Sequence, residues 1–121
     1  IEHELSALYD CAHGAGLAVI MPAWMTYVVD HDVMRFAQMA CRVWNCKMDF
    51  QNPKKTALEG IAAFRSFLKS IGMPINFSEL GAKESDIPYL VKTFGLGETG
   101  KTGGFVQLTS KDVENIYRLA L

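Results

Sequence analysis

Residues 95–102 read Gly95-Leu96-Gly97-Glu98-Thr99-Gly100-Lys101-Thr102, the spelling G-x-x-x-x-G-K-[ST] of a phosphate-binding P-loop. How this stretch is read decides the fold. A working P-loop leaves a buried strand and enters a helix, so that backbone N–H groups and the helix N-terminus face the phosphates. The chain would then be α/β. If the same stretch only joins two helices, the chain is all-α. Upstream, Pro88 to Phe94 follows Ser85-Asp86 as a helix follows its cap, although its residues also suit a strand. Downstream, Gly103-Gly104-Phe105-Val106 is poor material for starting a helix. The residues left before Leu121 are too few for a crossover helix and a second strand carrying a Mg²⁺-holding Asp. These flanks favour a glycine-rich connection with Lys101 in solvent. A nucleotide-binding module built on Gly95–Thr102 remains the alternative.

Working outward from this loop, the apolar periodicity is helical nearly throughout. After it, Thr109 and Asp112 spell a capping box ahead of a stripe at Val113, Ile116, Tyr117 and Ala120. Before it, Asn52-Pro53 starts a helix with its stripe at Ala57, Ile61, Phe64, Leu68 and Ile71. Gly72 and Pro74 stop that helix. Asp30 or Asp32 caps a helix carrying Val33, Phe36, Ala40, Val43 and Trp44 on one face. Leu17 to Val29 is apolar all round and belongs in a core, with Pro22 either kinking it or lying near its first turn. Glu2 to Asp10 forms a first helix that Gly14 and Gly16 punctuate. The pattern predicts an all-α bundle of five to seven helices, residues 1–121 forming a single domain.

Composition narrows the function classes. Half of the 121 residues are hydrophobic and the net charge is −1, without the basic excess of a nucleic-acid binder. No apolar run reaches the ~18 residues needed to span a bilayer, so no membrane partner is expected. Cys11, Cys41 and Cys46 lack C-x-x-C spacing and fit reduced thiols in a cytoplasmic protein. The chain opens on Ile1 without Met. Either a longer parent protein or missing leading residues accounts for that start, and the reading favours a fragment.

Chemistry is concentrated at the histidines. His3 and His13 are ten residues apart, a spacing that on an unbroken helix turns roughly 1000° and leaves them about 80° apart. This is not the i, i+4 pair of a helical zinc site. The His13-Gly14 step places His13 at a helix end where another element can approach closely. A structural histidine in a helical scaffold is the competing reading. His31, between Asp30 and Asp32, reads as a solvated residue at a helix start. Cys11, close to His13, is either a small buried hydrophobe or an oxidation-sensitive, metal-binding thiol.

The segment from Glu2-His3-Glu4-Leu5 through Cys11-Ala12-His13-Gly14 to Met21-Pro22 resembles the histidine signature of the iron-containing (group III) alcohol dehydrogenases. The likeness is to their butanol dehydrogenase and aldehyde reductase branch. That signature is H-x-x-x-H, about nine residues, H-G, then an apolar helix with a Leu/Met-Pro step. The resemblance continues through Ala40–Trp44, Ile71-Gly72-Met73-Pro74 and Leu108–Tyr117, and so covers essentially the whole chain. Two departures are modest: Ser6 stands where many members have Gly, and Cys11 where Thr or an aliphatic is commoner.

The resemblance implies a dehydroquinate synthase-like, two-domain enzyme of which this chain is the C-terminal helical domain. A nucleotide-binding N-terminal domain would be the missing partner. It further implies a divalent metal (Fe²⁺ or Zn²⁺) held by one Asp and three His, NAD(P)H as cofactor, and a small primary alcohol or aldehyde as substrate. Dimers are common in the family, which implies a homodimer. His13 matches the last metal ligand. His3 matches the second His of H-x-x-x-H, beside the nicotinamide and the metal, which implies a catalytic and cofactor-binding role. With one ligand of four, the chain alone is expected to be inactive.

Overall fold

The computed structural model describes residues 1–121. Seven α-helices and two 3₁₀ turns follow one another with no strand: α1 (Glu2–Tyr9), α2 (His13–Val28), a turn at Val29–His31, α3 (Val33–Trp44), α4 (Pro53–Ser70), α5 (Phe77–Leu80), a turn at Glu84–Asp86, α6 (Ile87–Phe94) and α7 (Ser110–Leu119). The expected all-α bundle is what forms. Residues 95–102 run from the end of α6 into a coil, where Thr102 and Leu108 exchange an isolated antiparallel bridge. The helix that follows starts only at Ser110. With a helix in place of the buried strand, the P-loop spelling lacks the geometry that holds phosphate.

Helix α2 is the hub, in contact with α1, α4, α5 and α7. Its Val19, Ile20, Ala23 and Val28 are buried with Leu5 of α1, Phe36 and Ala37 of α3, and Ala57 and Ile61 of α4. The α7 stripe of Val113, Ile116, Tyr117 and Ala120 closes the core from the other side. The Tyr117 hydroxyl donates to the Ile1 carbonyl at 2.7 Å and so joins the two ends of the chain. Helices α3 and α4 form the closest pair. A Cβ on Gly60 would stand 2.3 Å from that of Ala40, so only glycine permits this approach.

The caps follow the sequence in most places. The Asp32 and Asn52 side chains accept from the N–H groups of Arg35 and Lys55. Thr109 and Asp112 close the full capping box of α7.

Several expectations are corrected. Gly14 and Gly16 do not end the first helix; Asp10 does, in the left-handed region at φ 49°, and both glycines lie in the first turn of α2. Pro22 lies well inside α2, beyond its first turn. Asp86 stands at the N-cap of α6 without capping it, because its carboxylate accepts from the Tyr9 hydroxyl instead. Val43 and Ile71, placed on buried stripes, are 63% and 56% exposed because no other element of the chain covers them. The four-residue α5, capped by Asn76, was not expected from the pattern.

Candidate metal and substrate site

The turn between α1 and α2 builds the site. Asp tolerates the left-handed conformation better than most residues, and Asp10 adopts it to reverse the chain within three residues. His3, at the start of α1, thereby meets His13, the first residue of α2, with ring centroids 5.2 Å apart and planes tilted by 31°. The histidines are not on one continuous helix, and His13 begins a helix instead of ending one. Their proximity comes from two helix starts folded against each other.

Glu2 completes the cluster. One donor atom from each of Glu2, His3 and His13 lies within 4.8 Å of the others. Both imidazoles are exposed, whereas Glu2 is only 4% exposed. Its Oε1 accepts from the Ser6 hydroxyl one turn along α1. Its Oε2 is buried without a hydrogen-bond partner and stands in ion-pair contact with His13 Nδ1. Gly16 makes room for this carboxylate, since a Cβ there would stand 2.2 Å from Glu2 Oε1. Sequence reasoning missed Glu2. The available signal was weak: an acid beside His3, and a glycine one helical turn after His13.

An apolar groove of about 400 Å³ opens beside the histidines, lined by Ile1, Glu2, His3, His13 and the α2 residues Leu17, Ile20, Met21 and Trp24. The α2 positions recur at three- and four-residue intervals, so one face of that helix supplies the apolar wall. His31 lies elsewhere, with its ring edge-to-face on Phe105 at 5.0 Å. Cys11 is half-buried against the core, 3.9 Å from the Ser6 hydroxyl.

Comparison with known proteins bears on the family and the fold. All of residues 1–121 match the sequence model of the C-terminal part of the Fe-containing alcohol dehydrogenase family. The chain belongs to that family. Among its relatives, the NADH-dependent butanol dehydrogenase A of Clostridium acetobutylicum is 31% identical over 98% of this chain. In structure the chain is similar to NADH-dependent butanol dehydrogenase A from Thermotoga maritima, with a TM-score of 0.88, 36% identity and 98% of the chain covered. It is also similar to the aldehyde reductase YqhD from Escherichia coli, with a TM-score of 0.84, 28% identity and 99% coverage. The chain spans 30–31% of the length of these alcohol dehydrogenase family members. No helix is long and apolar enough to cross a membrane.

Proposed function

We propose that this chain is the metal- and substrate-binding domain of an NAD(P)-dependent alcohol dehydrogenase that interconverts primary alcohols of about butanol's size with their aldehydes. It acts together with a nucleotide-binding domain supplied by the rest of a longer protein. The observation that carries the reading is the pairing of His13 with His3 at the mouth of an apolar groove, in a chain matched over its whole length by this family. When bound, a divalent iron or zinc ion polarises the alcohol or carbonyl oxygen while the nicotinamide takes or gives hydride.

The donors present fit such an ion. An imidazole nitrogen with a carboxylate behind it suits a borderline divalent metal, and Glu2 Oε2 is buried without a partner other than that imidazole. His13 would be the ligand this chain contributes. His3, its ring against that of His13, would border the reacting carbon and the nicotinamide. Leu17, Ile20, Met21 and Trp24 offer an alkyl chain an apolar wall that excludes water from the reacting end.

The test is His13→Ala in the intact enzyme. Expected is loss of metal and of NAD(P)⁺-dependent butanol oxidation, with retained helical content by circular dichroism. Retention of both metal and activity overturns the assignment. The 121-residue chain alone is expected to bind Fe²⁺ and Zn²⁺ more weakly than micromolar, because one ligand of four makes a weak site; titration calorimetry reads this directly.

A further inference from the structure

The structure assigns Glu2 a role that the histidine pattern does not reveal. Its buried carboxylate is the positioning residue of His13, holding the Nδ1–H so that Nε2 is the one ring nitrogen left free to bind a divalent metal. This rests on the reading of His13 as a ligand and deepens it.

Two contacts and one gap fix the carboxylate against the ring. An imidazole has two nitrogens, and the hydrogen bond made by one decides which is left to donate a lone pair to a metal. Here Nδ1 stands in ion-pair contact with Glu2 Oε2, and a carboxylate oxygen only accepts, so the proton belongs on Nδ1 and the free lone pair on Nε2. The carboxylate is itself fixed, because Ser6 holds Oε1 from one turn further along α1. Finally, Gly16 leaves the space that the carboxylate fills. At this position an alanine Cβ would displace the carboxylate.

Glu2 is not read as a metal ligand. Both of its oxygens are already engaged, one by Ser6 and one by His13. It therefore acts on the metal through the ring of His13. A carboxylate behind a ligating imidazole fixes tautomer and ring orientation, and removing such a partner typically weakens metal binding about 10–100-fold.

The experiment compares Glu2→Gln, Glu2→Ala, Gly16→Ala and His13→Ala in the intact enzyme, using Co²⁺ as the probe. Affinity is measured by competition with a chelator, and ligand geometry by the visible absorption of bound Co²⁺. The tautomer of His13 is read by ¹⁵N NMR of the metal-free protein. Glu2→Gln can still accept from Nδ1–H, so about a tenfold loss of affinity is expected, and about a hundredfold for Glu2→Ala. Gly16→Ala keeps the charge but moves the carboxylate, and is expected to fall with Glu2→Gln. All three should alter the Co²⁺ spectrum and mix the His13 tautomers, which a purely structural role would not do. If the folded Glu2 and Gly16 variants keep wild-type affinity, spectrum and tautomer while His13→Ala loses Co²⁺, this inference falls and the function stands. If His13→Ala also binds Co²⁺ like wild type, the underlying reading falls. Should Glu2→Ala fail to fold, the near-isosteric Glu2→Gln and Gly16→Ala decide the matter.

Discussion

Tyr9 shows how one oxygen can bind two elements together. Its hydroxyl donates to Asp86 Oδ2 at 2.5 Å and accepts from the Lys83 N–H at 3.1 Å, tying the end of α1 to the turn before α6. Burial, then the bond to Asp86, pushes the phenol above its usual pKa. Tyr9→Phe removes the hydroxyl and leaves both partners without it. Expected is a loss of about 1–2 kcal/mol in urea denaturation, with helical content unchanged. Residue-scale facts of this kind were only partly legible. His3 and His13 stand out in the sequence as two of its three histidines. Glu2, Tyr9 and Asp86 do not, since their partners lie across a chain reversal or far along the chain. Asp86 was readable as a cap, but the bond from Tyr9 redirected its side chain.

Helices α5 and α7 show what local spelling can and cannot specify. Thr109-x-x-Asp112 predicts a helix start, and both halves of the box form: Asp112 Oδ2 accepts from the Thr109 N–H at 2.7 Å, and Thr109 Oγ1 accepts from the Asp112 N–H at 3.3 Å. Asp112 also accepts from the Tyr27 hydroxyl at 2.6 Å, which fastens α7 to α2. That second bond has no local signature. Donation by the Thr109 hydroxyl, then by Tyr27, holds the Asp112 carboxyl below its usual pKa. A depressed folded-state value means that the group's contribution is complete above about pH 4 and is lost as pH falls through the folded-state value. Asp112→Ala should therefore cost about 1–2 kcal/mol at neutral pH and flatten the acid limb of the stability profile. Denaturation midpoints measured between pH 3 and 7 check both parts. At α5 the spelling Asn76-x-x-Glu79 does cap a helix, but Gly81 ends it after one turn at φ 85°, too briefly for any periodicity to show.

At the scale of the whole molecule, the apolar surface says more than the loop with the P-loop spelling. That loop leads into the turn closed by the Thr102–Leu108 bridge, with Lys101 exposed. By contrast, Trp24 lines both the groove beside the histidines and a second groove formed with Met25, Phe36, Met39, Val43 and Phe105. The two grooves therefore join through Trp24 into one largely apolar face running from α2 onto α3, with Arg35, Gln38 and Arg42 on its α3 side. Met21 and Met34 remain 37% and 54% exposed along these helices. Their hydrophobicity alone does not divide them between the core and a face left for another domain. Contiguous apolar surface of this kind marks an interaction site or an aggregation liability. If the rest of a longer enzyme covers it, the 121-residue chain alone should bind an environment-sensitive hydrophobic dye and self-associate at micromolar concentration. The intact enzyme should do so far less. Met21→Glu in the isolated chain should lower dye binding by charging the groove that Met21 lines, whereas Met34→Glu, outside both grooves, should lower it less. A chain that stays monomeric and dye-free on its own would mean that this face closes without a partner, and the docking part of the proposed function would then fail.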